Sequence, residues 1–374
     1  MLDERLKTLA KRLVTYSVSV KKGEKVLIQA FDCDPNFIAR IVDEIYLAGG
    51  IPFTQYSVDP IGIHVSRQAT KEYYECLYRY RETMMKEMDC KIQVIGSTNK
   101  FNGKSVPHEI NKMAMKVCGM PLHEIAEKSK NRWVLLNFPS SNDAQEAGME
   151  TEEFEDYFFE VCNFDYSKMF AAMEPLAKLM AKADKVRIIA PETDLSFSIK
   201  GIGSHRCAGT HNIPDGEVFT APVKGSMNGT IKYNVPFIKG DGKMLEDIKL
   251  TFKDGKVVEH ECSDKQALTD MLDTDEGSRF VGEFAFGLNP HIKKPMRDIL
   301  FDEKIACSIH LALGHYCEET PNGNKSAVHA DMIQIQTPEY GGGEIYLDDV
   351  LVRKDGRFVI KELLGLNPEN LVKI

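Results

Sequence analysis

A chain of 374 residues is too long for one ordinary hydrophobic core and is expected to fold as two domains. Its 43% hydrophobic and 28% charged residues are those of a soluble globular protein, and a net charge of −9 argues against nucleic acid as partner, because phosphate binding needs a concentrated basic face. No apolar run approaches the roughly 20 residues that span a bilayer, and nine cysteines without a CxxC pair read as reduced thiols of a cytoplasmic protein.

The N-terminus, MLDERLKTLAKRL, is charged and lacks the apolar centre of a signal peptide; with the residues that follow it predicts an amphipathic helix over Leu2 to Val18. A turn at KKGEK leads into a strand from Lys25 to about Ala30. Asp34 and Pro35 have the chemistry of an N-cap and first helical residue, for a helix that runs to Leu47 and stops at Gly49 and Gly50. IPFTQYSV is the next strand, a helix from about Thr70 to Met88 precedes the strand CKIQVIG, and a helical stretch from Pro107 to Lys128 precedes the strand RWVLLNF. Strands alternating with helices of this length favour a parallel sheet covered on both faces. Met149 to Asp184 again reads as helical, and the texture changes at Lys185. VRIIAPETDLSFSIKG, KLTFKDGKVVEHEC and EIYLDDVLVRKDGRFVI are strand–turn–strand patterns. The expectation is an α/β domain over 1–184 and a β-rich α+β domain over 185–374.

Four segments of the second half place ionisable residues where a surface loop would not need them. In SAVHADMIQI, His329 and Asp331 are two apart in an alternating run, so strand geometry projects them from one face. In NIPDGEVFTAP, Glu217 leaves a tight turn beside Val218 and Phe219, although a glutamate after a turn is most often solvated. In VGEFAFGLNP, Glu283 lies in an uncharged apolar segment and is costly to bury unless it meets a cation; the bland alternative is an edge residue facing water. In EKIACSIHLALG, His310 shares its face with Ala306 and Ser308, which leave room around the imidazole; a hydrogen-bonded core histidine is the ordinary reading of such a residue. Together these five offer two imidazoles and three carboxylates, too oxygen-rich for a structural zinc site. They suit a pair of divalent ions with one bridging carboxylate, the apparatus that activates water against a carbonyl or phosphoryl group. No GxSxG elbow is present, and the two glycines of KGIGSH are not followed by a helix pattern.

NIPDGEVFTAP, GEFAFGLN, HLALG and SAVHADMI, in that order, resemble the thermophilic metalloaminopeptidase family, the aminopeptidase T and aminopeptidase S type; LVTYSVSVKKGEKVLI and TDLSFSIKG extend the resemblance over nearly the whole chain. The resemblance implies a dimeric exopeptidase acting on short peptides, with two divalent ions (zinc, cobalt or manganese) in the β-rich C-terminal domain. Carried over by motif, its ligands fall on Glu217, Glu283, His310, His329 and Asp331. Where the family has a catalytic tyrosine this chain has Cys317, with Tyr316 one residue earlier and His315 before that. Either Tyr316 takes that role, or His315 replaces it, or the activity has drifted; Tyr316 is the favoured expectation, as a donor to the developing oxyanion, and Glu217 is the candidate general base. A ring-cleaving dioxygenase of the dihydroxypyridine type, with one ferrous ion on His310, His329 and Asp331, is the rival enzyme reading; a mononuclear site would have no need of Glu217 and Glu283. A catalytically silent peptide-binding protein is the non-enzymatic alternative.

Overall fold

The computed structural model describes residues 3–97, 99, 101–122, 125, 131–239 and 242–373. Two compact units divide the chain: residues 1–163 with 209–213, and residues 164–208 with 214–374. The division falls at Asn163/Phe164, upstream of the change in texture at Lys185, because the helices Tyr166–Ala172 and Glu174–Lys182 belong with the second unit.

The first unit is built on a parallel five-stranded sheet in the order Ile51–Ser57, Lys25–Phe31, Cys90–Ile95, Arg132–Asn137, Asn212–Ile213. Val26, Ile28, Ile92, Val94, Val134 and Leu136 are fully buried in it, the near-continuous apolar burial that parallel strands require. The helix Pro35–Leu47 starts as its residues dictate, with the Asp34 carboxylate accepting from the Asn36 backbone N–H at 2.8 Å and Pro35 at the first position. Phe37, Ile38, Ile41 and Ile45 form its buried stripe. The N-terminal helix is Glu4–Arg12, continued by a π-helical turn over Leu13–Ser17. The helices Lys71–Glu87 and His108–Ala114 lie in the stretches read as helical, whereas Leu2 and Lys128, proposed helix ends, lie outside the described residues. No described helix is long and apolar enough to cross a membrane.

The second unit holds an eight-stranded antiparallel sheet, a two-stranded pair and a five-stranded antiparallel sheet, so the molecule is mixed α/β. Its hairpins turn on residues that tolerate positive φ: Asp254 and Gly255 (φ 50° and 81°) join Lys249–Lys253 to Lys256–Glu261, and Asp355 and Gly356 (48° and 78°) join Val350–Lys354 to Arg357–Phe358. The five-stranded sheet runs His329–Ile335, Ser308–Gly314, Val281–Gly287, Glu217–Thr220, His205–Cys207. One face of it is apolar and packs on the larger sheet. Phe284 meets Phe197 with ring centroids 5.2 Å apart, and Phe286 meets Phe358 at 5.8 Å. Arg353, fully buried on the larger sheet, lies over Phe286 and donates to the Ser308 carbonyl at 2.9 Å and to Gln336 Oε1 at 3.0 Å.

Candidate metal centre

The opposite face of the five-stranded sheet carries the chemistry, and its register explains how. Glu283 and Asp331 both stand across from Ala312, one on each side; His310 stands across from Ala285, Glu217 from Gly287 and His329 from Gly314. Every one of the five candidate residues therefore has alanine or glycine as a cross-strand neighbour. Directly paired side chains on one face lie about 4.5–5.5 Å apart at Cβ, so small partners leave the space into which the longer polar chains converge. A bulge between Val281 and Glu283 lets Val281 pair with Leu313 while Glu283 pairs with Ala312, on the face of His310.

The convergence is close. His310 Nε2 lies 3.4 Å from Glu283 Oε1 and 3.4 Å from Glu217 Oε2. His329 Nε2 lies 3.6 Å from Glu283 Oε2 and 3.4 Å from Asp331 Oδ1. Glu283 thus turns one oxygen toward each imidazole and joins two nitrogen–oxygen clusters. These separations are longer than the 2.7–3.2 Å usual for a good hydrogen bond. They match the roughly 3.4 Å between two donors each about 2.1 Å from a shared tetrahedral ion. Glu217, Glu283 and His310 are buried, and the side chain of His329, at 38% exposure, opens to solvent. His329 Nδ1 sits 3.0 Å from the His315 carbonyl, a partner that takes an Nδ1–H and leaves Nε2 as the nitrogen that faces the cluster. Among the described residues Glu217 Oε2 is buried and accepts no hydrogen bond, His310 Nε2 at 3.4 Å being its ion-pair contact. The donor set and the orphaned oxygen fit divalent ions.

The electrostatics are those of crowded carboxylates balanced by few cations. Burial works against the His310 imidazolium, but the Glu283 and Glu217 carboxylates beside it outweigh that and lift its pKa to about 9. Asp331 raises His329 to about 10 and is itself held well below the usual carboxylate range by that imidazole, against its own burial. Burial pushes the Glu217 carboxyl up, although Lys304 and His310 pull the other way.

Two participants, Lys304 and Glu303, went unnoticed in the sequence, and a third, Cys317, stood out there only as the residue in the place of the family's tyrosine. Lys304 is 1% exposed, and its ammonium lies 2.6 Å from Glu217 Oε1, 2.7 Å from Glu303 Oε1 and 3.8 Å from Asp215 Oδ1. Burial opposes its charge, but those carboxylates hold it protonated well above the ordinary lysine range. Glu303, lifted by burial to about 7, lies with His310 and Asp331 in a group whose ligand atoms are all within 4.8 Å of one another. Cys317 reaches Glu283, its thiol 2.9 Å from Oε2, while the neighbouring Tyr316 ring stacks on His315 with centroids 4.9 Å apart. The only sequence signal for Lys304 and Glu303 was a charged pair leading directly into the apolar strand of His310.

Comparison with known proteins bears on what such a centre does. The family model described as thermophilic metalloprotease (M29) matches residues 2–358. Aminopeptidase 2 of Geobacillus stearothermophilus is 36% identical over 168 residues, 39% of this chain and 37% of that protein. Aminopeptidase T of Thermus thermophilus is 25% identical over 408 aligned residues, 95% of this chain and 98% of that protein. Among solved structures, wild-type AmpT from Thermus thermophilus matches with a TM-score of 0.80 at 24% identity, covering 96% of this chain and 99% of that one. The 2,5-dihydroxypyridine dioxygenase of Pseudomonas putida KT2440 matches with a TM-score of 0.60 at 14% identity over 97% and 99%. Both structural likenesses speak to the fold alone.

Proposed function

The chain belongs to the thermophilic metalloprotease (M29) family, and from that membership we propose that it is a metal-dependent aminopeptidase that removes N-terminal residues, leucine among them, from short peptides. The observation that carries the proposal is the two-sided carboxylate of Glu283, one oxygen toward His310 and the other toward His329. In this reading Glu217 and His310 would hold one divalent ion, His329 and Asp331 would hold a second, and Glu283 would serve both. The ions are of the zinc, cobalt or manganese kind, since mixed nitrogen and oxygen donors accept all three. The reading includes a β-rich C-terminal domain as the carrier of the centre, a cytoplasmic location and a homodimer.

When bound, such a pair of ions supplies an activated water at neutral pH and polarises the scissile carbonyl. The residues of the chain do the rest. Lys304 holds one oxygen of Glu217, which fixes the other toward His310 and favours Glu217 as a ligand over its expected role as general base. Glu303 is the better proton carrier, because burial leaves its carboxyl near neutrality and beside Asp331. Tyr316 remains the proposed oxyanion donor, a contribution of about 3 kcal/mol for such groups. The open side at His329 admits the peptide terminus.

The test is an assay on metal-stripped protein with a leucine-initiated chromogenic amide, each ion being added back in turn. Release of the chromophore only after add-back is expected; release unaffected by stripping sinks the proposal. The dioxygenase reading has a shared fold behind it and nothing more, and it leaves the buried Glu217 and Glu283 without a role.

A further inference from the structure

We propose that Cys317 is a sixth protein ligand of this centre, binding through its sulfur the same divalent ion as His329 and Glu283. The inference rests on the metal-centre reading and goes beyond its five ligands. Cys317 Sγ, Glu283 and His329 offer ligand atoms that all lie within 4.8 Å of one another, and the thiol is 2.9 Å from Glu283 Oε2. The segment that carries it is braced. The buried Asn324 donates from Nδ2 to the Gly314 carbonyl at 2.6 Å and to the Gly277 carbonyl at 3.0 Å, and its own carbonyl accepts from the Tyr316 backbone N–H. The sulfur is therefore held at the cluster by a fixed loop. Independently of the cysteine, the buried Glu217 Oε2, which accepts no hydrogen bond among the described residues, lies in the adjoining group of Glu217, Glu283 and His310, which shares Glu283 with this one.

A thiol that coordinates a divalent ion is deprotonated outright. The S–H bond breaks, the proton leaves to solvent, the sulfur–metal bond forms, and no oxidation is involved. Two consequences follow. A thiolate favours zinc or cobalt over manganese or magnesium at this position. The centre also acquires a group that oxidants and thiol reagents attack, and a bound metal shields it.

Cobalt(II) titration of the metal-stripped full-length protein, followed by absorption under reducing conditions, separates this proposal from the one it rests on. Visible d–d bands report cobalt on the nitrogen and oxygen donors; a near-ultraviolet charge-transfer band reports a thiolate on the metal. Both are expected in the native protein. The charge-transfer band should vanish in Cys317→Ser, with visible bands retained, and persist in Cys207→Ser, whose sulfur lies by Asp215 and Glu217. Visible bands with no charge-transfer band in the native protein, or a band that survives Cys317→Ser, overturn the sulfur ligand and leave the five-residue centre standing. Absence of both bands overturns the centre itself, and the sulfur ligand with it.

Discussion

In the proposed centre, metal binding has to displace protons from His310 and His329, whose imidazoles are lifted to about 9 and about 10 by the carboxylates around them. With pKa values above 7 both are charged at pH 7 in the metal-free protein and must be neutral as ligands, so loading the centre at pH 7 should release about two protons from them and one more from the Cys317 thiol, about three in all. Calorimetry in buffers of differing ionisation enthalpy reads this number, and the affinity should fall as pH falls. The sign for stability runs the other way without metal. A histidine raised above its unfolded value of about 6.5 contributes stability that is complete below that value. The contribution is lost as pH rises through 9 to 10, so the metal-free protein should melt at lower temperature at pH 10 than at pH 7. Lys304 carries a separate prediction. Lys304→Met removes the cation between Glu217, Glu303 and Asp215, and stranding buried carboxylates costs about 3–5 kcal/mol. Urea unfolding of the metal-free variant checks it; a loss under 1 kcal/mol contradicts the counter-ion role. Lys304 was invisible in the sequence for a physical reason: lysine is almost always solvated, and only tertiary structure shows that this one is not. His329 and Asp331 were legible together because a period of two puts them on one strand face.

At the scale of elements, the candidate site depends on an alanine or glycine standing on one side of each long polar residue. Gly314 stands across from His329 with φ 102°, and a Cβ there would meet the Val328 carbonyl oxygen at 2.0 Å. Gly314→Ala should cost about 1–3 kcal/mol, measured by denaturant unfolding, and should weaken metal binding in the fraction that folds. Unchanged stability and affinity would mean that the ladder at His329 yields more easily than its register implies. Periodicity and turn chemistry made most elements readable, from the Asp34–Pro35 helix start to the Asp-Gly hairpins. The helix Asp59–Ser66 was not foreseen: it has no buried residue, and without an apolar stripe there is no period to read. The bulge before Glu283 was also out of reach, since pairing of distant strands, and nothing local, makes an extra residue visible.

On the scale of the whole molecule, the two units use opposite solutions to burying a sheet. The first has parallel strands with near-continuous apolar burial; in the second, one sheet turns an apolar face to its neighbour and keeps the other for ionisable groups. The second arrangement brings Glu217, Glu283, His310 and Asp331 to one face with Lys304 and Glu303 beside them, and so much confined negative charge should make the proposed metal-loaded protein the more stable form. A ligand that binds only the folded state stabilises by about 2.7 kcal/mol at a hundred times its dissociation constant, so saturating zinc should raise the melting temperature by several degrees. The change from alternating helices and strands to hairpins was visible at Lys185. The contact boundary at Asn163/Phe164 was not, because an amphipathic helix does not declare which unit it will cover. The most direct measurement of the central claim is the metal content of the reconstituted chain by mass spectrometry of the elements. Two divalent ions per native chain are expected, with fewer bound and turnover lost, on the order of 10³-fold, in a folded Glu283→Gln protein. One ion or none per native chain, or two retained with full activity in Glu283→Gln, would contradict it.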